Sequence, residues 1–358
     1  MGASNVAVAT EYVLLSVLGR GGMAEVHLAL RLGRGAPRPI ALKRARPDQD
    51  ASEKSASESA LVSEALISAR LLHPNIVTVV DLASWNGETV VELEYVEGAS
   101  LTQLLHWASA RGQRLPEDVL FRIMSDVLAA LDHAHTARGI GGRLAPIVHR
   151  DVSPSNILIG LDGHVRLIDF GVAKAPSLSA ETPVGTVKGK LRYMAPEQLS
   201  GDAGLDGRAD LFSCGVILWE ALSGRNLHNA SCAYSLVLGA TARRLSSKIA
   251  VSRRVDEMVA RCLEREPDRR FPSALALQAA LRDCAREGIG FASSAKLASL
   301  VREAQGAKIA ARRALIETKL AELGVRRRSV LSLTQRATAV ALGAAVSALA
   351  GAALSLLR

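Results

Sequence analysis

The chain has 358 residues, enough for one large domain of about 250 to 300 residues with an appendage, or for two ordinary domains. Hydrophobic residues make up 49% of it and aromatic residues only 3%, which excludes a disordered chain and a platform on which bases stack. The net charge of +9 and the pI near 9.7 would suit nucleic acid, anionic lipid or phosphorylated ligands. No recognised nucleic-acid module accompanies this charge, so we do not expect nucleic acid as a partner.

The first part of the chain, from Tyr12 to Val96, consists of short runs rich in Val and Leu that glycines interrupt. A longer helical pattern covers residues 57–72. These patterns predict a small, mostly β lobe with one helix, preceded by an N-terminal extension of residues 1–11. Residues 44–59 are rich in Ser, Ala, Asp and Glu and are interpreted as a mobile connector leading into that helix.

The next part, residues 97–287, has a mainly helical pattern and predicts a larger, α-rich lobe. Helices are predicted over residues 116–138, 208–223 and 255–265, and short strands over residues 157–159 and 165–168. The predicted fold class is therefore α+β, with two lobes of unequal size.

Residues 288–336 combine an apolar stripe at helical spacing with many basic side chains. The stripe consists of Leu297, Leu300, Val301, Ala304, Ile316, Leu320 and Leu323. The basic residues are Arg302, Lys308, Arg312, Arg313, Lys319, Arg326, Arg327, Arg328 and Arg336. A coiled coil and a helix that lies on a membrane surface both fit this juxtamembrane pattern.

Residues 337–357 contain no charged residue, and about 20 such residues are long enough to cross a bilayer. We expect one transmembrane helix, although the Ala- and Gly-rich composition leaves a buried helix or hairpin open. The arginines at 326–328 precede this segment, which by the positive-inside rule predicts a single-pass protein of the cell membrane with its main domain in the cytoplasm. Gly343, Ser347 and Gly351 recur every fourth residue, which fits a homodimer and equally fits chance in an Ala-rich helix.

The cysteines and the N-terminus bear on the compartment. The four cysteines are widely spaced without a CxxC pair, so buried reduced thiols are expected. The N-terminal sequence MGASNVAVATEY has neither a basic leader nor a long apolar run, so no signal peptide is predicted. Both observations favour a reducing, cytoplasmic environment for the bulk of the chain.

A glycine-rich turn, LGRGGMAEV, lies between two strand-like runs at residues 18–26. Glycines there would let backbone N–H groups approach phosphate oxygens, although a structural turn would use the same residues. Lys43 ends the next apolar strand, IALK, where its ammonium would reach the α- and β-phosphates of ATP. Glu64, on the predicted helix, would pair with Lys43 and fix its direction.

Three further motifs follow: HRD at residues 149–151 with Asn156 after it, DFG at 169–171, and APE at 195–197. Phosphoryl transfer needs metal ions on the phosphate oxygens and a carboxylate that orients the attacking hydroxyl. Asp151, Asn156 and Asp169 supply that set of groups. One short motif arises easily by chance, but five in this order and spacing do not.

In these motifs the chain resembles the protein kinase family over residues 12–287. The phrase GGMAEVHLA at residues 21–29 is especially similar to the eukaryotic-like serine/threonine kinases of bacteria. The resemblance implies the two-lobed protein-kinase fold, with an N-lobe at 12–96 and a C-lobe at 97–287. It also implies transfer of the γ-phosphate of ATP, with Mg²⁺, to hydroxyl groups of protein substrates.

The same resemblance assigns roles to individual residues. It implies Asp151 as the catalytic base, Lys43 and Glu64 as an ion pair, and Asn156 and Asp169 as Mg²⁺ ligands. The residues implied to bind ATP are Leu18, Gly19, Arg20, Gly21, Gly22, Met23, Ala24, Glu25, Val26, Ala41, Lys43, Glu94 and Val96. In this alignment Leu93 is the gatekeeper before the hinge, Asp210 braces the catalytic loop, and Arg270 pairs with Glu197.

Three features depart from the family pattern. Ala24 replaces a glycine of the loop, a small change that we expect ATP binding to tolerate. Ser153 stands where serine/threonine kinases usually carry a lysine that meets the γ-phosphate. We hypothesise that Lys190 returns this charge from the other side of the cleft; a solvated lysine is the alternative. Residues 137–146 are an insertion whose role the sequence does not predict.

Arg150 precedes the catalytic aspartate, and in the family such an arginine pairs with a phosphate on the activation segment. Autophosphorylation is therefore predicted on Thr182 or Thr186. The main alternative function is a pseudokinase scaffold at the membrane, which would bind nucleotide or partners without turnover. A membrane adaptor that acts through the basic tail is compatible with either function.

Overall fold

The computed structural model describes residues 11–33, 35–139, 141–170, 191–202, 204–227 and 244–324. The first lobe is built on an antiparallel sheet with the strand order β1-β2-β3-β5-β4. Its strands are β1 Glu11–Arg20, β2 Ala24–Leu32, β3 Arg38–Ala45, β4 Val79–Trp85 and β5 Glu88–Glu94. The predicted small, mostly β lobe is therefore present.

Helix α1, Ala51–Ser68, is the one helix in the described part of this lobe, and it starts earlier than the sequence pattern predicted. The interpretation of residues 44–59 as a mobile connector is wrong, because β3 continues to Ala45 and α1 begins at Ala51. The side chain of Asp50 accepts a hydrogen bond from the backbone N–H of Glu53 at 2.8 Å and so caps the helix. Ala, Ser and Glu are compatible with a helix once such a cap is in place, so polarity alone did not indicate a loop.

The second lobe is mainly helical and contains a small sheet. Its helices are α2 Leu101–Ser109, α3 Glu117–His135, α4 Pro196–Leu199, α5 Arg208–Ser223, α6 Arg253–Cys262, α7 Ala274–Cys284 and α8 Ser294–Glu322. Its strands are β6 Gly98–Ser100, β7 Ile157–Gly160 and β8 Val165–Leu167, in that order in the sheet. The helices and strands predicted for this lobe are found within about three residues of their expected ends.

The core of the second lobe surrounds α5, which is almost entirely buried, and one face of α3. Gly215 allows α5 to approach α6, since a Cβ atom there would lie 2.5 Å from the Cβ of Cys262. Within the described residues, Cys214, Cys262 and Cys284 are buried free thiols, and Cys232 lies outside those residues. The central position of α5 matters for the site, because its first turn lies beneath the HRD motif.

Helix α8 packs against the second lobe with part of its apolar stripe. Leu297 and Val301 of the stripe join the core of that lobe, as does Ile309 outside the stripe, and Leu320 is also buried. The helix contacts α2, β6 and β7, and it also contacts β1 of the first lobe. The stripe that suggested a coiled coil or a membrane surface is thus covered largely by the protein itself.

No helix within the described ranges has the length and hydropathy needed to cross a bilayer. The predicted span at 337–357 and the arginines at 326–328 lie outside those ranges. The insertion at 137–146 forms a short hairpin in its described part, in which Arg138 pairs with Leu144 and the N–H of Ala145 donates to Ala137 O at 2.8 Å.

Candidate active site

Lys43 is the buried centre of a partly exposed charge cluster at the boundary of the two lobes. Its Nζ lies 2.6 Å from Oε1 of Glu64 on α1 and 2.8 Å from Oδ1 of Asp169 after β8. On β3, Lys43 stands opposite Val26 of β2 and Val91 of β5, so all three side chains point to the same face of the sheet. The cluster therefore brings together residues from three separate sequence motifs.

The charges of this cluster are mutually dependent. Burial lowers the pKa of Lys43, but the carboxylates of Asp169 and Glu64 outweigh burial and hold it above its ordinary value. Burial raises the pKa of Glu64, and the neighbouring Lys43 opposes that rise only in part. The lysine is thus protonated, and its two carboxylate partners fix the direction of its ammonium group, as binding of a phosphate requires.

The glycine-rich turn joins β1 to β2 directly above Lys43. The N–H of Gly21 donates to Ala24 O at 2.8 Å and closes the turn. A Cβ atom at Gly19 or Gly22 would meet no atom within 4 Å, so these glycines leave open space next to the backbone N–H groups. That space is where the phosphates of a nucleotide would lie, so the loop fits the ligand that the resemblance implies.

Not every residue predicted to bind ATP faces the cleft. Glu25 is buried, and its Oε1 lies 2.7 Å from Nε2 of His27, two residues further along β2. Because successive residues alternate between the faces of a strand, this pair lies on the face opposite to Val26. A contact between ATP and the side chain of Glu25 is therefore not supported by its position, whereas Val26 and Ala41 lie on the cleft side.

The predicted hinge follows β5. Leu93 lines a small cavity of about 20 Å³ together with Lys43 and Glu64, as a gatekeeper position would. The carboxylate of Glu94 pairs with Nε of Arg166 at 2.9 Å, and its backbone N–H donates to Thr78 O at 3.0 Å. These contacts fix the backbone that runs through Glu94 to Val96 along the edge of the cleft.

The catalytic loop is held by a buried histidine in a defined tautomer. His149 Nε2 donates to Ile168 O at 3.0 Å, and Nδ1 accepts from the N–H of Asp151 at 3.2 Å. Burial lowers the pKa of His149, which keeps the ring neutral and consistent with this assignment. The ring also packs against Phe170 at 4.5 Å, so the HRD and DFG motifs are joined through one side chain.

Asp210, in the first turn of α5, fixes the same loop from below. It accepts hydrogen bonds from the N–H groups of His149 and Arg150, both at 2.8 Å, and from His135 Nε2 at 2.8 Å. Burial alone would raise its pKa, but His135 and His149 outweigh burial and hold the pKa below its ordinary value. The carboxylate is therefore charged and fully engaged with the loop rather than with its own helix.

Two residues of the site have an uncommon backbone conformation. Arg150 has φ of +65° and Asp169 has φ of +60°. Aspartate tolerates this left-handed region, whereas arginine adopts it at a cost of about 1 to 3 kcal/mol. The hydrogen bond from Arg150 N–H to Asp210 and the bond from Gln198 Nε2 to Arg150 O, at 2.5 Å, hold that strained residue.

Asn156 and Asp169 carry the oxygen atoms that a Mg²⁺ ion would use. Asn156 is buried, and its Nδ2 donates to Asp151 O at 2.8 Å, which leaves the amide oxygen for other partners. The N–H of Ile168 donates to Asn156 O at 3.0 Å and connects this residue to the segment before Asp169. An amide and a carboxylate oxygen are hard ligands of the kind that Mg²⁺ prefers, so the residues fit this metal.

The predicted partner of Glu197 is also in place. Arg270 makes a bidentate pair with Glu197, with Nη1 to Oε1 at 2.6 Å and Nη2 to Oε2 at 2.8 Å. Arg270 is only 1% exposed, and its remaining donors bind the carbonyl oxygens of Glu264, Arg265 and Arg208. The pair fastens the APE motif to the body of the second lobe.

Sequence reasoning missed two residues that shape the catalytic loop. His135 orients Asp210, and Gln198 binds the backbone of Arg150. Gln198 directly follows the APE motif, a signal that could have indicated a contact with the site, whereas His135 ends a long helix and carries no local signal. Ser153 is buried, with its Oγ 2.9 Å from Oγ of Ser155. Lys190, Thr182 and Thr186 lie outside the described residues.

A second cavity, of about 580 Å³, lies beside the catalytic loop. Three arginines, Arg70 at the end of α1, Arg150 and Arg208, contribute to its lining. The insertion hairpin borders it through Ala145, and α3 borders it through Asp132 and His135. Asp132 and Asp206 also line the cavity, and Arg208 is paired with Asp206 and Asp268. Of the three arginines, Arg70 and Arg150 are therefore the ones suited to an anionic group.

Comparisons with known proteins agree with this geometry. The chain is 39% identical over 213 residues to the tyrosine-protein kinase MasK of Myxococcus xanthus, covering 59% of this chain and 32% of that protein. It is 30% identical over 285 residues to the serine/threonine-protein kinase PrkC of Bacillus subtilis, covering 77% and 40%. The crystal structure of the PknI kinase domain of Mycobacterium tuberculosis matches with a TM-score of 0.57 and 29% identity, over 80% of this chain and all of that domain.

The chain thus spans between about a third and half of the length of these curated relatives. The family model for the protein kinase domain matches residues 12–281, and with this match the chain belongs to the protein kinase domain family.

Proposed function

We propose that this protein is an ATP-dependent protein serine/threonine kinase of bacterial signalling. Members of its family use ATP and Mg²⁺. The observation that carries the proposal is the bridge from Lys43 to both Glu64 and Asp169, at 2.6 and 2.8 Å. A pseudokinase scaffold is less well supported, because the groups that catalysis requires are present and positioned.

The residues of the site divide the work of phosphoryl transfer. The ammonium of Lys43 would hold the α- and β-phosphates, and the backbone N–H groups of the glycine-rich turn would cover them. Asn156 and Asp169 would hold Mg²⁺, which when bound neutralises the charge of the phosphates. Asp151 would accept the proton of the attacking hydroxyl, at a backbone position fixed by His149 and Asp210.

The test is incorporation of labelled γ-phosphate from Mg-ATP into the full chain and into a generic basic protein. Asp151→Asn should abolish labelling, because the carboxylate that orients the hydroxyl is lost. Labelling that survives in this variant would contradict the assigned base. Nucleotide binding without labelling in either protein would favour the scaffold.

The class of acceptor hydroxyl is part of the proposal. PrkC and other relatives are named serine/threonine-protein kinases, whereas MasK is named a tyrosine-protein kinase. We propose serine and threonine as acceptors on the strength of the former group. Phosphoamino-acid analysis of the labelled protein decides this directly, since phosphotyrosine as the main product would overturn it.

We also propose autophosphorylation on Thr182 or Thr186. The cavity of about 580 Å³ lined by Arg70 and Arg150 supports this, because it offers cations beside the catalytic loop to a phosphorylated segment. Mass spectrometry of active protein should find phosphate on one of these threonines. An active protein whose segment 171–190 is unmodified would contradict the proposal.

Lys190 is proposed to replace the lysine that Ser153 lacks. The hydroxyl of Ser153 is uncharged, and it is buried with its Oγ next to Oγ of Ser155, so it cannot supply the missing cation. Lys190→Ala should lower kcat with little change in affinity for ATP, and the pair Ser153→Lys with Lys190→Thr should restore it. Full turnover of Lys190→Ala would contradict this role.

The C-terminal segment 337–357 is proposed to anchor the protein in the cell membrane, with the kinase domain on the cytoplasmic side. Formation of homodimers is a separate proposal. The absence of charge over this segment and the arginines at 326–328 support the anchor. The full chain should resist extraction from membranes by carbonate, and a chain ending at residue 324 should not. Equal release of the two proteins would argue against the anchor.

A further inference from the structure

Helix α8 lies beyond the region matched by the family model and yet contacts the predicted hinge. Two nitrogens of the Arg313 guanidinium donate to the carboxylate of Glu97, Nε to Oε1 at 2.6 Å and Nη2 to Oε2 at 2.5 Å. Glu97 directly follows Val96, the last residue of the segment implied to meet adenine. The helix therefore binds Glu97, the residue next to the segment that is implied to contact adenine.

The hinge is also fixed on its other side. The N–H of Leu161 donates to Glu97 O at 2.8 Å, and a Cβ atom at Gly98 would lie only 2.0 Å from Ile159 O. Burial raises the pKa of the Tyr95 phenol, and the guanidinium of Arg312, next to Arg313, opposes this in part. Glu97 thus lies between β7 and α8: the segment around β7 holds its backbone, and Arg313 holds its side chain.

The first turns of α8 are anchored firmly in the second lobe. Lys296 Nζ pairs with Asp118 Oδ2 at 2.7 Å, and Arg122 donates to Ala292 O at 3.4 Å. A Cβ atom at Gly163 would lie 2.0 Å from Ser294 O, which shows how closely the two backbones approach. A helix of 29 residues is about 44 Å long, so fixing its first turns also fixes where its C-terminal end lies.

The far end of α8 reaches the first lobe. The helix contacts β1, and Leu320 is buried without belonging to the core of the second lobe. Across the sheet, Leu14 of β1 is in register with Ala29, Ile40 and Glu94, so β1 passes level with the start of the hinge. The helix thus spans the joint between the lobes instead of lying on one of them.

We infer that α8 is a strut across the joint and that Arg313 is a positioning residue for ATP, acting on the adenine-binding hinge through Glu97. This inference rests on the proposed function, because it assumes a nucleotide at the hinge. The side chains of the pair are 57% and 26% exposed, so solvent weakens their attraction. Such a pair corresponds to an effect of about two- to five-fold on affinity.

The test uses four full-length proteins: wild type, Arg313→Glu, Glu97→Arg and the double reversal. The matched control is Arg302→Glu, which makes the same charge change at an exposed site on the same helix. For each protein, calorimetry gives the dissociation constant for a non-hydrolysable ATP analogue with Mg²⁺, and steady-state assays give KM for ATP and kcat. Thermal unfolding reports on the fold.

We expect each single reversal to raise the dissociation constant and KM about two- to five-fold, with kcat nearly unchanged, and the double reversal to restore both. Arg302→Glu should behave as wild type. Wild-type affinity in Arg313→Glu, or no recovery in the double reversal, would overturn the inference. A wild type that binds the analogue without phosphorylating anything would refute the proposed function, while the dissociation constants would still decide the role of Arg313.

Discussion

Asp210→Asn tests whether a single buried carboxylate holds the catalytic loop. The carboxylate accepts three hydrogen bonds, from the N–H groups of His149 and Arg150 and from His135. The amide keeps one acceptor oxygen and places an NH₂ group opposite a donor. At least two buried polar groups are left without partners, which at about 1 to 3 kcal/mol each lowers the free energy of unfolding by about 2 to 6 kcal/mol.

The kinetic effect should be selective. Arg150 keeps its φ of +65° with the help of Asp210, so relaxation of that residue displaces Asp151, its neighbour in the chain. A displacement of about 1 Å lowers kcat by about a hundredfold. Lys43 and Glu64 make no contact with Asp210, so KM for ATP should stay within about two-fold of wild type.

The assays are thermal unfolding and steady-state kinetics of the full chain. Asp206→Asn is the matched control, since it makes the same chemical change four residues earlier, where the side chain is 49% exposed. We expect the melting temperature of Asp210→Asn to fall by about 5 to 15 °C and that of the control by about 3 °C or less. If the two variants match in melting temperature and kcat, the reasoning about Asp210 is refuted.

Three further predictions concern packing and charge. Gly163→Ala should destabilise the protein more than Gly201→Ala. Both glycines have a positive φ, but only at Gly163 would an added Cβ atom lie within 3 Å of the backbone of α8. Equal melting temperatures of the two variants would contradict the docking of α8. Arg270→Lys should lower the free energy of unfolding by about 3 to 5 kcal/mol, because it breaks the buried bidentate pair with Glu197. Urea unfolding measures this change, and a loss below about 1 kcal/mol would contradict the prediction. The pKa of His149 is depressed in the folded state, so unfolding takes up a proton below the ordinary value of 6.5 and stability falls as the pH drops. Wild type should therefore lose more stability between pH 7 and pH 5 than His149→Gln, and equal losses would argue against a neutral buried ring.

The sequence motifs predicted the composition of the site well, for a physical reason. Lys43, Asp151 and Asp169 are named by short motifs whose order along the chain is fixed by the fold. The structure then brings Lys43 within 2.8 Å of Asp169, although 126 residues separate them. The prediction that Glu25 contacts ATP is not supported, because a motif names the residues of a strand but not the face of the sheet on which each side chain lies.

Other features depend on contacts between distant segments and left little trace in the sequence. The stripe of α8 was visible, but periodicity does not reveal which surface will cover an apolar face. The start of α1 was missed because Ser, Ala and Glu suit both a loop and a capped helix. The tautomer of His149 follows only from its two partners, Ile168 O and the N–H of Asp151.

The strut and the proposed anchor together constrain where the kinase can act. Helix α8 ends at Glu322, and the fourteen residues 323–336 separate it from the proposed span. A chain of this length reaches at most about 50 Å, so an anchored kinase would keep the C-terminal end of α8 within that distance of the bilayer. If both proposals hold, a pull on the anchor reaches α8 first and, through Arg313 and Glu97, the hinge.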